Sequence, residues 1–130
     1  MRPYTLFFSL AFLMFQSCSK DKPDSPFIGV FLGDYKESTI GSSISLNDVT
    51  ATITGKSNNK LDVKLDLGVA ATTLNAEVLT DMEIFFPPQN YFGDEVSGTG
   101  SLTNSNQKLV IEMETTSGQT RILSFIGTRQ

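Results

Sequence analysis

The chain has 130 residues, with ten Lys and Arg against fourteen Asp and Glu, a formal charge of −4. It contains no His, no Trp and a single Cys. This length suits one domain. The missing residues exclude Ser-His-Asp and Cys-His nucleophile pairs, imidazole metal sites, thiolate clusters and an internal disulfide. An acidic chain with few Arg is also a poor ligand for nucleic acid.

Residues 1–17 read as a secretory signal. Arg2 supplies the positive start, and Leu6 to Phe15 form a ten-residue apolar run broken only by Ser9. A spanning helix needs about twenty apolar residues, so this run is too short to cross a membrane. The sole cysteine follows at once, in Phe15-Gln16-Ser17-Cys18. A small residue before Cys at the end of such a run resembles a bacterial lipobox. The usual Leu three places before Cys is here Phe15, and Gln16 is atypical; this looseness resembles lipoproteins of the Bacteroidota. The resemblance implies cleavage before Cys18, lipidation of its thiol, and an anchor in the bacterial outer membrane, periplasmic or surface-exposed. Several acyl chains on one residue give stable anchoring where one would be marginal. The competing reading is an ordinary signal-peptidase site with a leftover thiol.

Loss of Arg2 with the signal leaves nine basic against fourteen acidic residues, or −5. Residues 18–26 then comprise the lipidated Cys and a polar, Pro-bearing tether. Its eight residues after Cys18 reach about 28 Å when extended.

From Phe27 onward the apolar period is two. Phe27 to Lys36 reads as a first strand, with Gly29 and Gly33 marking a bulge, bend or close backbone approach. Thr39 to Leu46 reads as an irregular crossing or short strand, and Val49 to Gly55 as an alternating one. Ser57-Asn58-Asn59 turns into the clearest strand, where Leu61, Val63, Leu65 and Leu67 oppose Asp62, Lys64 and Asp66. A one-residue slip there would bury three charges. Thr73 to Leu79 and Met82 to Phe86 follow as two strands or one kinked strand, with a helical turn over Ala70 to Ala76 as an alternative. Val96 to Thr103, Lys108 to Thr115 and Arg121 to Thr128 complete the series. About eight strands on short turns must run antiparallel. The expected fold is all-β, an up-and-down meander closing as a barrel over residues 27–130; a two-sheet sandwich is the alternative.

A Gly-bearing first strand, such a meander and a basic residue near the C-terminus resemble the calycin, or lipocalin-like, architecture. That family has Gly-x-Trp on its first strand with an Arg from the last strand over the indole. Here the nearest matches are Gly33-Asp34-Tyr35 or Gly29-Val30-Phe31, with Arg121 or Arg129, and Trp is absent. The resemblance implies a barrel with one end open.

The candidate binding residues are Phe85, Phe86, Tyr91 and Phe92, which flank Pro87-Pro88. They read as a stiff aromatic loop at the barrel mouth, with Tyr91 as the exposed ring, or as rings that plug one end of the core. The carboxylates read as surface groups: Glu112 and Glu114 share one strand face, Asp62 and Asp66 flank Lys64, and Asp94-Glu95 sits in a turn. None makes the facing pair that a glycosidase needs. Asp81-x-Glu83 and Asp94-Glu95 are too sparse for Ca²⁺. Neither Ser-x-x-Lys nor Gly-x-Ser-x-Gly occurs, and Gly98-Thr99-Gly100 lacks the context of a phosphate loop. The expectation is a non-enzymatic lipoprotein without metal or cofactor. It would bind a small apolar ligand or an envelope partner. The alternative is a solid-core interaction protein, such as a hydrolase inhibitor or an accessory or assembly lipoprotein.

Overall fold

A computed structural model describes residues 25–130. The signal, Cys18 and the tether as far as Asp24 lie outside the described residues. The described residues form eight strands: β1 (Gly29–Thr39), β2 (Ser42–Ser57), β3 (Lys60–Asp66), β4 (Ala71–Thr80), β5 (Glu83–Tyr91), β6 (Asp94–Thr103), β7 (Lys108–Thr115) and β8 (Ile122–Arg129). Each pairs antiparallel with its neighbours, and β8 pairs back onto β1, so the sheet closes as an up-and-down barrel. Closure excludes the sandwich. No helix among the described residues is long and apolar enough to cross a membrane.

Alternation decides which side chains enter the barrel. On β3 Leu61, Val63 and Leu65 are buried, and on β7 Leu109, Ile111 and Met113 are. Lys60, Lys64 and Asp66 on β3 face out. Among the described residues the buried hydrophobic side chains run from Phe27 to Phe125. Burial of each Leu, Ile or Phe contributes about 1.5–3 kcal/mol.

Three local departures have clear causes. Residues 42–57 form one strand where an irregular crossing or short strand followed by a separate strand was expected. Its direction is kept by a bulge in which the register slips between Gly33 and Tyr35, with Asp48 in the left-handed region (φ 58°). The helical turn over Ala70 to Ala76 does not form; these residues belong to β4, where Leu74 and Ala76 are buried. The Pro87-Pro88 pair lies inside β5, not in a loop. It sits where the β5–β6 register slips between Phe86 and Gln89, and beyond the last paired residues on the β4 side, Glu77 and Phe85.

The Gln89 side chain repairs that seam. Its Oε1 accepts from the Asn75 amide at 2.8 Å, and its Nε2 donates to the Asn75 carbonyl at 2.8 Å and to the Pro87 carbonyl at 3.0 Å. A side-chain amide thus takes the part of the peptide group that proline cannot supply.

The N-terminal end of the barrel carries Ser25, the C-terminus and the turns after β2, β4 and β6. The far end carries the turns after β1, β3, β5 and β7.

Candidate functional site

Both ends of the barrel are closed by an aromatic residue of β1 and an arginine from the last part of the chain. At the N-terminal end the Arg129 guanidinium lies 4.6 Å from the centre of the Phe31 ring. It donates to the carbonyls of Asn106 (3.0 Å), Ile28 (2.9 Å) and Pro26 (2.5 Å). Phe27 is fully buried beside it. The last two tether residues, Ser25 and Pro26, are therefore fastened to the barrel. Of the possible pairings named above, Phe31 with Arg129 is the stacked one.

At the far end Arg121 bridges Glu37 (2.9 Å) and Asp94. Glu37 accepts from the Tyr35 hydroxyl at 2.9 Å, and Tyr35 accepts from the Tyr91 hydroxyl at 2.8 Å. Both rings are buried, so each hydroxyl needs a protein partner. The chain Tyr91–Tyr35–Glu37–Arg121–Asp94 supplies them, and no buried side-chain polar atom among the described residues lacks a partner.

Between these closures the inward side chains pack together as one hydrophobic cluster. The residual gap among Tyr35, Leu65, Ile111, Met113 and Phe125 has no room for a water molecule. Small residues make space for large ones: Gly100 lies against Ile84 and Phe86, and Gly127 against Phe125.

The four candidate aromatics separate. Phe86 and Tyr91 are core residues, 0% and 1% exposed; this agrees with the reading of rings that fill the core and corrects the choice of Tyr91 as the ring in water. Phe85 is half-buried on the outer face. Phe92 alone is open, at 45%. It packs edge-on to Tyr91, with ring centres 4.8 Å apart.

Phe92 and Gly93 are the two loop residues between the paired Tyr91 and Asp94. Both have positive φ, 49° and 94°. That is a type I′ turn, whose first position favours Asn, Asp or Gly. A phenylalanine there is held in a conformation that costs about 1–2 kcal/mol. Around the same end stand Ile40 (80% exposed), Val69 (90%), Ile44 (51%) and Ile122 (52%).

The carboxylates lie mainly outside: Asp66, Asp81, Glu83, Glu112 and Glu114 are exposed. Among the described residues no group of three acidic or Cys side chains could hold a metal ion. Sequence reading missed Glu37. Its signal was a charge two residues from Tyr35 on the same strand face. Comparison with known families and with curated proteins finds no match to this chain.

Burial raises the Tyr35 hydroxyl far above its ordinary pKa, helped by its bonds to Tyr91 and Glu37. Burial raises Tyr91 as well. In the unfolded chain both would ionise near pH 10. Below that pH both phenols are protonated in the folded and unfolded chain alike, so their own ionisation adds no pH dependence. Above it the unfolded state loses protons that the folded state keeps, so stability falls as pH rises. The slope reaches about 1.4 kcal/mol per pH unit for each group. After residue 17 these are the only tyrosines, and Trp is absent. Tyrosinate absorbance should therefore appear together with loss of β-sheet circular dichroism, not before it. A tyrosinate signal in the folded state at its ordinary pH would contradict the buried pair.

Proposed function

We propose that this is a non-enzymatic, lipid-anchored lipoprotein of the bacterial envelope. Its solid barrel presents an apolar far rim to a partner protein. The anchor is the lipobox-like Phe15-Gln16-Ser17-Cys18. The calycin resemblance is supported by Gly29-Val30-Phe31 with Arg129 over the Phe31 ring, in the arrangement that family makes with Trp. A filled interior favours the solid-core alternative over a carrier of apolar cargo.

The observation that carries this reading is Phe92. An exposed ring held at a turn position unfavourable for it costs stability, and such strain concentrates where function needs it. With Ile40, Val69 and Ile122 it forms a rim of apolar contacts. Aromatic anchors of this kind dominate protein interfaces.

Phe92→Asn separates stability from binding. Asn suits the turn, so the variant should be as stable as the parent or gain up to about 1 kcal/mol. The edge contact with Tyr91 is lost, which offsets part of the gain. Cross-linking in the native envelope should yield a defined adduct with the parent chain and lose it with Phe92→Asn and with Val69→Asp. An adduct that both stable variants retain would refute the rim.

A further inference from the structure

Gln89 closes the β4–β5 seam at one residue only. The two strands pair from Glu77 to Thr80 and from Glu83 to Phe85. Toward the far end β4 stays on β3 as far as Ala71, and β5 stays on β6 as far as Tyr91, but the two do not pair with each other. The Gln89 side chain, not the β5 backbone, meets Asn75. The two backbones therefore stand a side chain apart.

Neighbouring bonds fix which way the unpaired groups point. The Val78 amide donates to the Asn59 carbonyl at 2.7 Å, on the β3 side. The Asn75 amide and carbonyl turn the other way, to Gln89. Alternate residues of a strand bond to the same side. Thr72, Leu74 and Ala76 therefore bond β3, while Ala71 and Thr73 turn their N–H and C=O groups to the gap. Both residues are exposed. Among the described residues no strand or side chain bonds them on that side. Across the gap β5 offers Pro87 and Pro88, which have no N–H to give. A bare edge of this kind is a template for another strand.

We infer that an extended segment of the partner protein adds to the β4 edge, bonding the backbone of Ala71 and Thr73. The inference rests on the reading that the far rim meets a partner protein. Val69, 90% exposed, lies two residues before Ala71, so a strand on this edge runs on to the apolar rim. Main-chain bonds supply affinity in such additions, and alternate side chains supply specificity. The gap takes a lone chain. Every strand of a second barrel is flanked by neighbours on both sides and does not fit. The segment is proline-free where it pairs and brings an apolar side chain to Val69.

Hydrogen exchange of the purified full chain reads the edge without any variant. The Thr73 amide should exchange on the order of 100-fold faster than those of Thr72 and Leu74. Equal protection of the three would overturn the inference. Cross-linking of the full chain in its native envelope then reads the occupant. A benzophenone amino acid in place of Ala71 should give an adduct that maps to one proline-free stretch of about five residues in the partner. Thr73→Pro keeps the bonds to β3, because its N–H faces the gap. It should lower the adduct at least about fivefold, whereas Thr73→Val keeps the N–H and the adduct. An adduct that Thr73→Pro retains in full and Phe92→Asn loses would overturn the added strand and leave the rim. One that Thr73→Pro loses and Phe92→Asn keeps supports the strand and removes the rim. A link to a second copy, or within the chain itself, would overturn the partner as occupant.

Discussion

Gly33→Ala is expected to leave little or no folded protein. Gly33 pairs with Gly127 across the β1–β8 seam that closes the barrel. A Cβ at Gly33 would fall inside the contact distance of the Ile126 carbonyl oxygen and the Gly127 Cα. Those are backbone atoms of the neighbouring strand, so no rotamer change relieves the overlap. Relief requires parting β1 from β8, which exposes the edges that closure removes. We expect a loss on the order of 4–5 kcal/mol, against the roughly 5–15 kcal/mol that holds a domain together. Gly118→Ala is the control. Gly118 has positive φ (80°) with nothing within 4 Å of an added Cβ. Its cost is the backbone conformation alone, about 1–2 kcal/mol. Urea unfolding of both variants checks the contrast. Equal, small losses would show that the seam is looser than described.

The second large effect is expected at Arg129. Arg129→Met keeps an apolar stem over Phe31 but removes three donors, leaving the carbonyls of Pro26, Ile28 and Asn106 without their partner. Bonds from a charged donor contribute about 1.5–3 kcal/mol each when buried. These are only part-buried, and water replaces some of what is lost, so the total should be about 2–4 kcal/mol. The stacked cation adds about 0.5–2 kcal/mol, which a double-mutant cycle with Phe31→Leu isolates. Hydrogen exchange should show where the loss falls. The amides of Phe27 and Ile28, bonded back to Ser25, should lose protection more than those of β6. Uniform loss across the barrel would argue against a local clasp.

The barrel was legible because the sequence alternates cleanly where no bulge intervenes. Leu61 to Leu67 and Lys108 to Thr115 show each inward side chain without ambiguity. Reading failed where the count of two is broken. From the buried Phe86, period two leads to Pro88 and Asn90, which places Tyr91 outside. The extra residue at the Pro87-Pro88 bulge shifts the phase, and Tyr91 turns inward to meet Tyr35. The proline pair itself suggested a loop because the missing ladder bonds come from a side chain, Gln89, whose role no local pattern announces. The far-end network was hidden for a related reason. Arg121 and Asp94 are 27 residues apart, and only closure of the sheet brings them to Glu37. Phe92 was singled out for its neighbours. Its distinguishing feature, a phenylalanine at a left-handed turn position, is a property of the backbone.

The central claim is a lipid-anchored barrel whose interior is full and which therefore works through its outside. Native mass spectrometry of the full chain isolated from a bacterial envelope tests this most directly. The account predicts a chain that begins at Cys18, carries acyl groups on that residue and holds no other apolar molecule. A free Cys18 thiol, or a stoichiometric apolar molecule released when the fold is disrupted, would contradict it.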